Sequence, residues 1–293
     1  MFRRWRLAGL LLGAACASGT PASRPATPAP SSPSVPRPNV DPARTDPAAA
    51  SAVRYPTRGG GIARYAFTRR DSVLATMPSG ESQLQVLGRT AYLTLTWVAS
   101  DSGTRLTAVV DSIRADSGLA ALVPLLDSAR SARWTARRDL AGRLTVETAS
   151  SPSLAAAQVQ DELLLLSLPL PPEGANAGAS WTDSTSGPAR VSAFAITEMA
   201  RIEAHADPAP AAGGALPVTL YRVRTASGEA SQFGQPISVT ATGADTLVYH
   251  LAADGRVLQV AGQRWTDMVV SLPSIGQTVP ARESSRLLLT LLR

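Results

Sequence analysis

From Ile62 onward the chain alternates. Apolar residues recur at every second position, in short runs separated by small polar clusters, and this period constrains the fold more than any other feature. Ala91–Val98 (AYLTLTWV) puts Leu93, Leu95 and Trp97 on one face and Tyr92, Thr94 and Thr96 on the other. β-Branched and aromatic side chains at period two suit a half-buried strand. Ile62–Phe67 reads as a first strand, and Thr104–Ile113 continues the sheet beyond a Ser100-Asp101-Ser102-Gly103 turn. Trp134–Thr148 reads as a hairpin around Asp139-Leu140-Ala141-Gly142. Further strands are expected at Val191–Ala204, Pro217–Thr225, Ile237–Thr242, Asp245–Ala252 and Arg256–Leu272. Ala253-Asp254-Gly255 is a tight turn between the last two, because Asp-Gly tolerates positive φ. Arg286–Leu292 closes the sheet, and its apolar run calls for burial on both faces.

Two helices interrupt the strands. Leu119, Leu122, Val123 and Leu126 recur at three- and four-residue spacing, which predicts a helix near 117–131 capped by Ser117. Pro124 is tolerated only in a first turn, so the helix has an alternative start there. A second helix is expected over 152–166, with Ser151 as N-cap and Pro152 in the first turn, ended by Pro169, Pro171 and Pro172. The fold class is therefore mainly β (α+β): an antiparallel sheet with two helices. Gly142-Arg143-Leu144 and Gly255-Arg256-Val257 echo one another at a hairpin. One explanation is a duplication of half-domains, 61–150 and 176–293, joined by the helix at 152–166. Shared hairpin chemistry explains the echo as well.

Before Gly61 the composition changes. Ten of the 23 prolines fall between residues 17 and 60, among Ala, Ser and Thr. Such a segment cannot bury enough apolar surface to order itself and reads as an extended tether. Gly59-Gly60-Gly61 reads as a flexible hinge leading into the domain at 61–293.

The excess of positive charge also sits early in the chain. From Gly61 to the end, 20 arginines face 20 acids, so the folded part is formally neutral. Phosphate backbones demand clustered excess charge, and aromatics for base stacking amount to only 5%, so nucleic acid is not an expected partner. With no lysine there is no Walker lysine, Schiff base or Ser–Lys dyad. One cysteine and two histidines, His205 and His250, leave no disulfide and no ordinary zinc site. No Gly-x-Ser-x-Gly elbow is present. No catalytic, cofactor or metal residue is expected, and the chain is not expected to be an enzyme.

The single cysteine, Cys16, follows Arg3, Arg4 and Arg6 and the apolar run Leu7–Ala15. That run has nine residues, short of the roughly 20 needed to span a bilayer. A basic region, a short apolar stretch and Ala14-Ala15-Cys16 resemble a bacterial lipoprotein signal peptide, with residues 1–15 removed and Cys16 acylated. The alternative is an ordinary secretory signal cut near Ala15 or Ala17. The lipoprotein reading implies attachment to a membrane through lipid on Cys16. Ala17 stands where proteobacterial lipoproteins retained at the inner membrane carry Asp, which implies the outer membrane, facing the periplasm.

Two further segments carry a resemblance. Leu168–Gly174 with Gly178-Ala179-Ser180-Trp181, and Tyr249–Leu258 with its Asp254-Gly255-Arg256, resemble bacterial envelope lipoproteins with a LolA-like architecture. That family implies a strongly curved antiparallel sheet, or half-barrel, with helices on its concave side. It implies an apolar ligand, such as an acyl chain, held between sheet and helices. The rival reading is an adaptor that meets other envelope proteins through a sheet edge or an exposed apolar patch. Trp97, Trp134, Trp181 and Trp265 read as core, or alternatively as the lining of such a cavity. Arg69-Arg70-Asp71 and Arg137-Arg138-Asp139 read as solvated hairpin charges.

Overall fold

The computed structural model describes residues 52–77, 79–116, 123–151, 153–191, 194–211, 213–232 and 235–292. The expected signal at 1–15, Cys16, the expected tether as far as residue 51, the expected helix start at 117–122 and Pro152 lie outside the described residues.

Among the described residues, eleven strands form a single antiparallel sheet. In chain order they are β1 (Gly60–Thr76), β2 (Ser82–Ser100), β3 (Gly103–Ala115), β4 (Arg133–Arg138), β5 (Leu144–Ala149), β6 (Ser180–Val191), β7 (Phe194–Ala206), β8 (Leu216–Gln232), β9 (Gln235–Leu251), β10 (Val257–Leu272) and β11 (Gln277–Leu292). The spatial order is β5-β4-β3-β2-β1-β11-β10-β9-β8-β7-β6. Two meanders thus meet where β1 pairs with β11, and the sheet does not close on itself. Helix α1 (Val123–Asp127) links β3 to β4, and α2 (Leu154–Leu163) with a following 3-10 turn (Leu164–Leu166) links β5 to β6.

The topology sends α2 through the interior. β5 ends at one end of the sheet and β6 begins at the other, so α2 and the connector 164–179 run back along the inner face. Ser153, and not Ser151, caps α2: its hydroxyl accepts a hydrogen bond from the Ala156 N–H at 3.1 Å. Helix α1 carries Pro124 in its first turn, where the missing N–H does no harm.

Several strands differ from expectation, for identifiable reasons. β6 carries no apolar alternation in Thr182–Pro188, and it forms because an edge strand needs only one partner, β7. The expected breaks inside β9 and before β1 are packing sites. A Cβ at Gly243 would collide with the Trp265 carbonyl oxygen and sit 3.1 Å from Arg224, so β9 continues through it. Gly60 and Gly61 are not a hinge but the start of β1, and a Cβ on Gly61 would meet the Trp97 ring at 2.5 Å. β11 is buried on one face only: Leu287 and Leu289 face inward and Leu288 outward.

Packing begins before Gly61. Val53 and Ala175 exchange two backbone hydrogen bonds, at 2.8 and 3.0 Å. The Arg54 Nε donates to the Glu173 carbonyl at 2.8 Å. The Tyr55 hydroxyl donates to the Leu168 carbonyl at 2.7 Å and accepts from the Leu168 N–H at 2.8 Å. Residues 53–55 therefore form a strap across one end of the sheet. The two echoing hairpins grip it from either side. A Cβ at Gly142 would collide with the Tyr55 ring, and one at Gly255 would lie 2.7 Å from the Arg54 carbonyl oxygen. Both glycines adopt positive φ. Both turns of the echo are thus fitted to one strap.

Candidate functional site

Alternation fixes which side chains enter the concave face. On β1 these are Ala63, Tyr65, Phe67, Arg69, Asp71, Val73 and Ala75, all buried or nearly so. The strap end of the sheet is an apolar layer built from Tyr65, Phe67, Leu93, Val218, Leu247, Val260 and Leu289, filled by Val159, Leu163, Leu165, Leu166 and Leu168 from α2 and its connector. Trp134 belongs to this layer and Trp97 and Trp181 pack against it, whereas Trp265 is on the outer face, 46% exposed. The opposite end has a second apolar cluster, with Ala75, Ile196, Ile237, Val239, Met268, Val270 and Ala281.

Between these layers runs a belt of charge. Register places Arg69 opposite Arg89 on β2, Ser285 opposite Arg264, Glu283 opposite Thr266, and Asp245 opposite both Arg264 and Arg222. The Arg69 Nε donates to Asp71 at 2.6 Å and its Nη2 to Glu283 at 2.7 Å. Asp245, with no exposed side-chain surface, takes three arginines: Arg222, Arg224 at 3.3 Å and Arg264 at 3.1 Å. Arg224 also donates to Glu198 at 3.0 Å and to the Thr266 hydroxyl at 2.9 Å.

Helix α2 contributes to the belt from the other side. Arg89 bonds Glu162 directly, and Arg69 Nη1 lies 3.6 Å from the same Glu162 oxygen. The Gln158 side chain accepts from Arg89 at 3.4 Å. Glu162 is 2% exposed, and its Oε2 and the Arg89 Nε are both buried without a hydrogen-bond partner. Burial pushes the Glu162 carboxyl up from its ordinary range, and Arg89 and Arg69 oppose this without cancelling it. For Asp245 burial also raises, but Arg264, Arg222 and Arg224 together prevail and hold it at about 2. Burial lowers the Arg264 pKa, which Asp245 opposes, while Arg224, Arg222 and Arg69 press in the same direction as burial.

The expectation of solvated charges holds for Arg70 and Arg137, which are exposed, and is corrected for Arg69, Asp71 and Arg138. Arg69 and Asp71 are inward because they share the phase of Tyr65 and Phe67. Arg138 is buried at the strap end, its guanidinium 3.9 Å from the centre of the Tyr55 ring. The belt does have a sequence signature. In β1, β9 and β11 the inward phase breaks once from apolar to polar: at Arg69 and Asp71, at Asp245, and at Glu283 and Ser285. Those breaks lie at one height only after register is known.

The histidines are apart from the belt. His205 on β7 lies opposite Ser180, with Ser180 Oγ 2.8 Å from Nδ1 at an exposed site. No carboxylate joins that pair in the hydrogen bonds among the described residues. His250 lies on β9 between Pro217 and Gln259. Cys16 lies outside the described residues.

Comparison with known proteins adds little. No protein-family model matches the chain, and no curated protein matches it. A solved LolA superfamily protein from Nitrosomonas europaea covers 83% of this chain and 88% of its own, at 10% identity and a TM-score of 0.13. The likeness is weak, and the functional reading rests on the geometry above.

The interior is packed at the strap end by α2 and its connector. An open groove of about 450 Å³ lies toward the far end, lined by outward side chains including Leu74, Thr240, Val269, Pro280 and Arg282.

Proposed function

We propose that the protein is a non-enzymatic envelope protein, anchored through lipid on Cys16, that shelters the apolar part of an amphiphile between its curved sheet and the α2 segment. One observation carries the reading. The inner face is filled by a discrete insert, α2 and the leucines behind it, joined to the sheet through buried ion pairs of Glu162. A buried ion pair contributes little net stability, because desolvation offsets its attraction. The insert is thus the part of the core best suited to exchange for a ligand of similar polarity. Leu163, Leu165 and Leu166 occupy the place that an acyl chain would take.

Native mass spectrometry of the Cys16→Ser chain, purified from the soluble envelope fraction without detergent, tests this. A bound acyl-bearing mass supports it, and a clean apo mass after lipid incubation sinks it. The outer groove favours a second reading, an adaptor that docks another envelope protein at Leu74, Val269 and Pro280. Photo-crosslinking from position 269 in cells would then trap a defined partner.

A further inference from the structure

The belt is balanced only while α2 is in place. Its inward members are Arg69, Arg89, Arg222, Arg224 and Arg264 against Asp71, Glu162, Glu198, Asp245 and Glu283. Nine of these ten belong to the sheet wall, and Glu162 alone belongs to the insert. If the insert leaves, the wall keeps five arginines against four carboxylates. Arg69 retains Asp71 and Glu283, but Arg89 loses the carboxylate that pairs with it. An uncompensated buried guanidinium is strongly unfavourable.

Resting on the carrier reading, we infer that the amphiphile bears a monoanionic headgroup, a carboxylate or a phosphodiester, which binds Arg89 and Arg69 in the place of Glu162. Two features independent of the charge count agree. Arg89 Nε and Glu162 Oε2 are both buried and unpartnered, so the helix-borne carboxylate reaches Arg89 with one oxygen and leaves half of the guanidinium fork unused. A free headgroup is able to accept from Nε and Nη2 together, the two-oxygen geometry that guanidinium favours. The insert also has the polarity order of such a ligand. Glu162 at the belt is followed at once by Leu163, Leu165 and Leu166 in the apolar layer, as an acid head is followed by its chain.

The test titrates the full mature chain with oleate, with oleyl alcohol as the neutral molecule of the same chain length, and with dioleoyl phosphatidylglycerol, each displacing an uncharged fluorescent acyl probe. Oleate or phosphatidylglycerol is expected to bind about ten- to a hundredfold more tightly than the alcohol, the range for a hydrogen bond to a charged group. The stronger of the two identifies a carboxylate or a phosphodiester. Arg89→Gln should erase the preference. Glu162→Gln, which removes the internal competitor and keeps its shape, should increase it, and this variant decides the matter if Arg89→Gln fails to fold. Equal binding of all three ligands, unchanged in Glu162→Gln, overturns the headgroup inference and leaves the carrier reading standing. No displacement by any of them overturns both.

Discussion

Replacing Asp245 by Asn isolates the belt from the rest of the fold. Asp245 has no exposed side-chain surface and pairs with Arg222, Arg224 and Arg264. Its carboxyl is held at about 2 against an ordinary value of 3.8. One pKa unit corresponds to about 1.4 kcal/mol, so ionised Asp245 contributes roughly 2 kcal/mol at neutral pH through this shift. Asn also leaves three guanidinium groups without their shared partner, and breaking a buried pair costs about 3–5 kcal/mol in total. The sign follows from a depressed carboxylate pKa: the stability is present above pH ~4 and lost as pH falls through about 2. Urea unfolding of wild type and Asp245→Asn, measured from pH 7 to pH 2, separates this group from every other carboxylate by difference. The wild-type advantage should be at least about 3 kcal/mol at pH 7 and shrink by about 2 kcal/mol between pH 5 and pH 2. A difference that stays constant across that range refutes the coupling between Asp245 and its arginines.

Glu162→Gln should behave in the opposite sense. A raised folded pKa means that protonation favours the folded state, so wild-type stability falls relative to the Gln variant as pH rises through and above the ordinary carboxylate range; paired melting curves that run parallel would contradict this. Tyr55→Ala removes both hydrogen bonds to Leu168 and the ring over Arg138, and is expected to lower stability by about 3–5 kcal/mol in denaturant titration. Gly255→Ala forces a Cβ toward the Arg54 carbonyl at positive φ, so hydrogen exchange at Val53 and Ala175 should accelerate in that variant while the centre of β9 stays protected. Cys16→Ser should move the protein from the membrane to the soluble envelope fraction, and persistent membrane association would remove the proposed anchor.

The sheet was legible because its signal is local. Tyr65, Phe67, Leu93, Leu95, Leu247 and Tyr249 announce their strands by alternation, and the turns at Gly142 and Gly255 by their chemistry. β6 was not, since an edge strand of Thr, Ser, Gly and Pro carries no period and is held by β7 alone. Gly61 and Gly243 misled because their missing side chains serve Trp97 and Arg224, which come from other strands. The belt was hidden for the same reason. Arg69 and Asp71 look like a solvated pair until Arg89, Glu162 and Glu283 arrive from distant parts of the chain. Burial of charge is a property of register, and register between distant strands is not written in any one of them.

The strap has a mechanical consequence. Chain arriving at Ala52 meets the sheet at a single end, where Tyr55 grips Leu168 by both its N–H and its carbonyl. Leu168 lies two residues beyond the 3-10 turn that continues α2, so a pull on the strap is delivered first to the insert and only afterwards to the strands. In the proposed carrier, tension and occupancy of the interior act on one residue. The β1–β2 and β10–β11 turns, at the far end, point away from the direction of that pull.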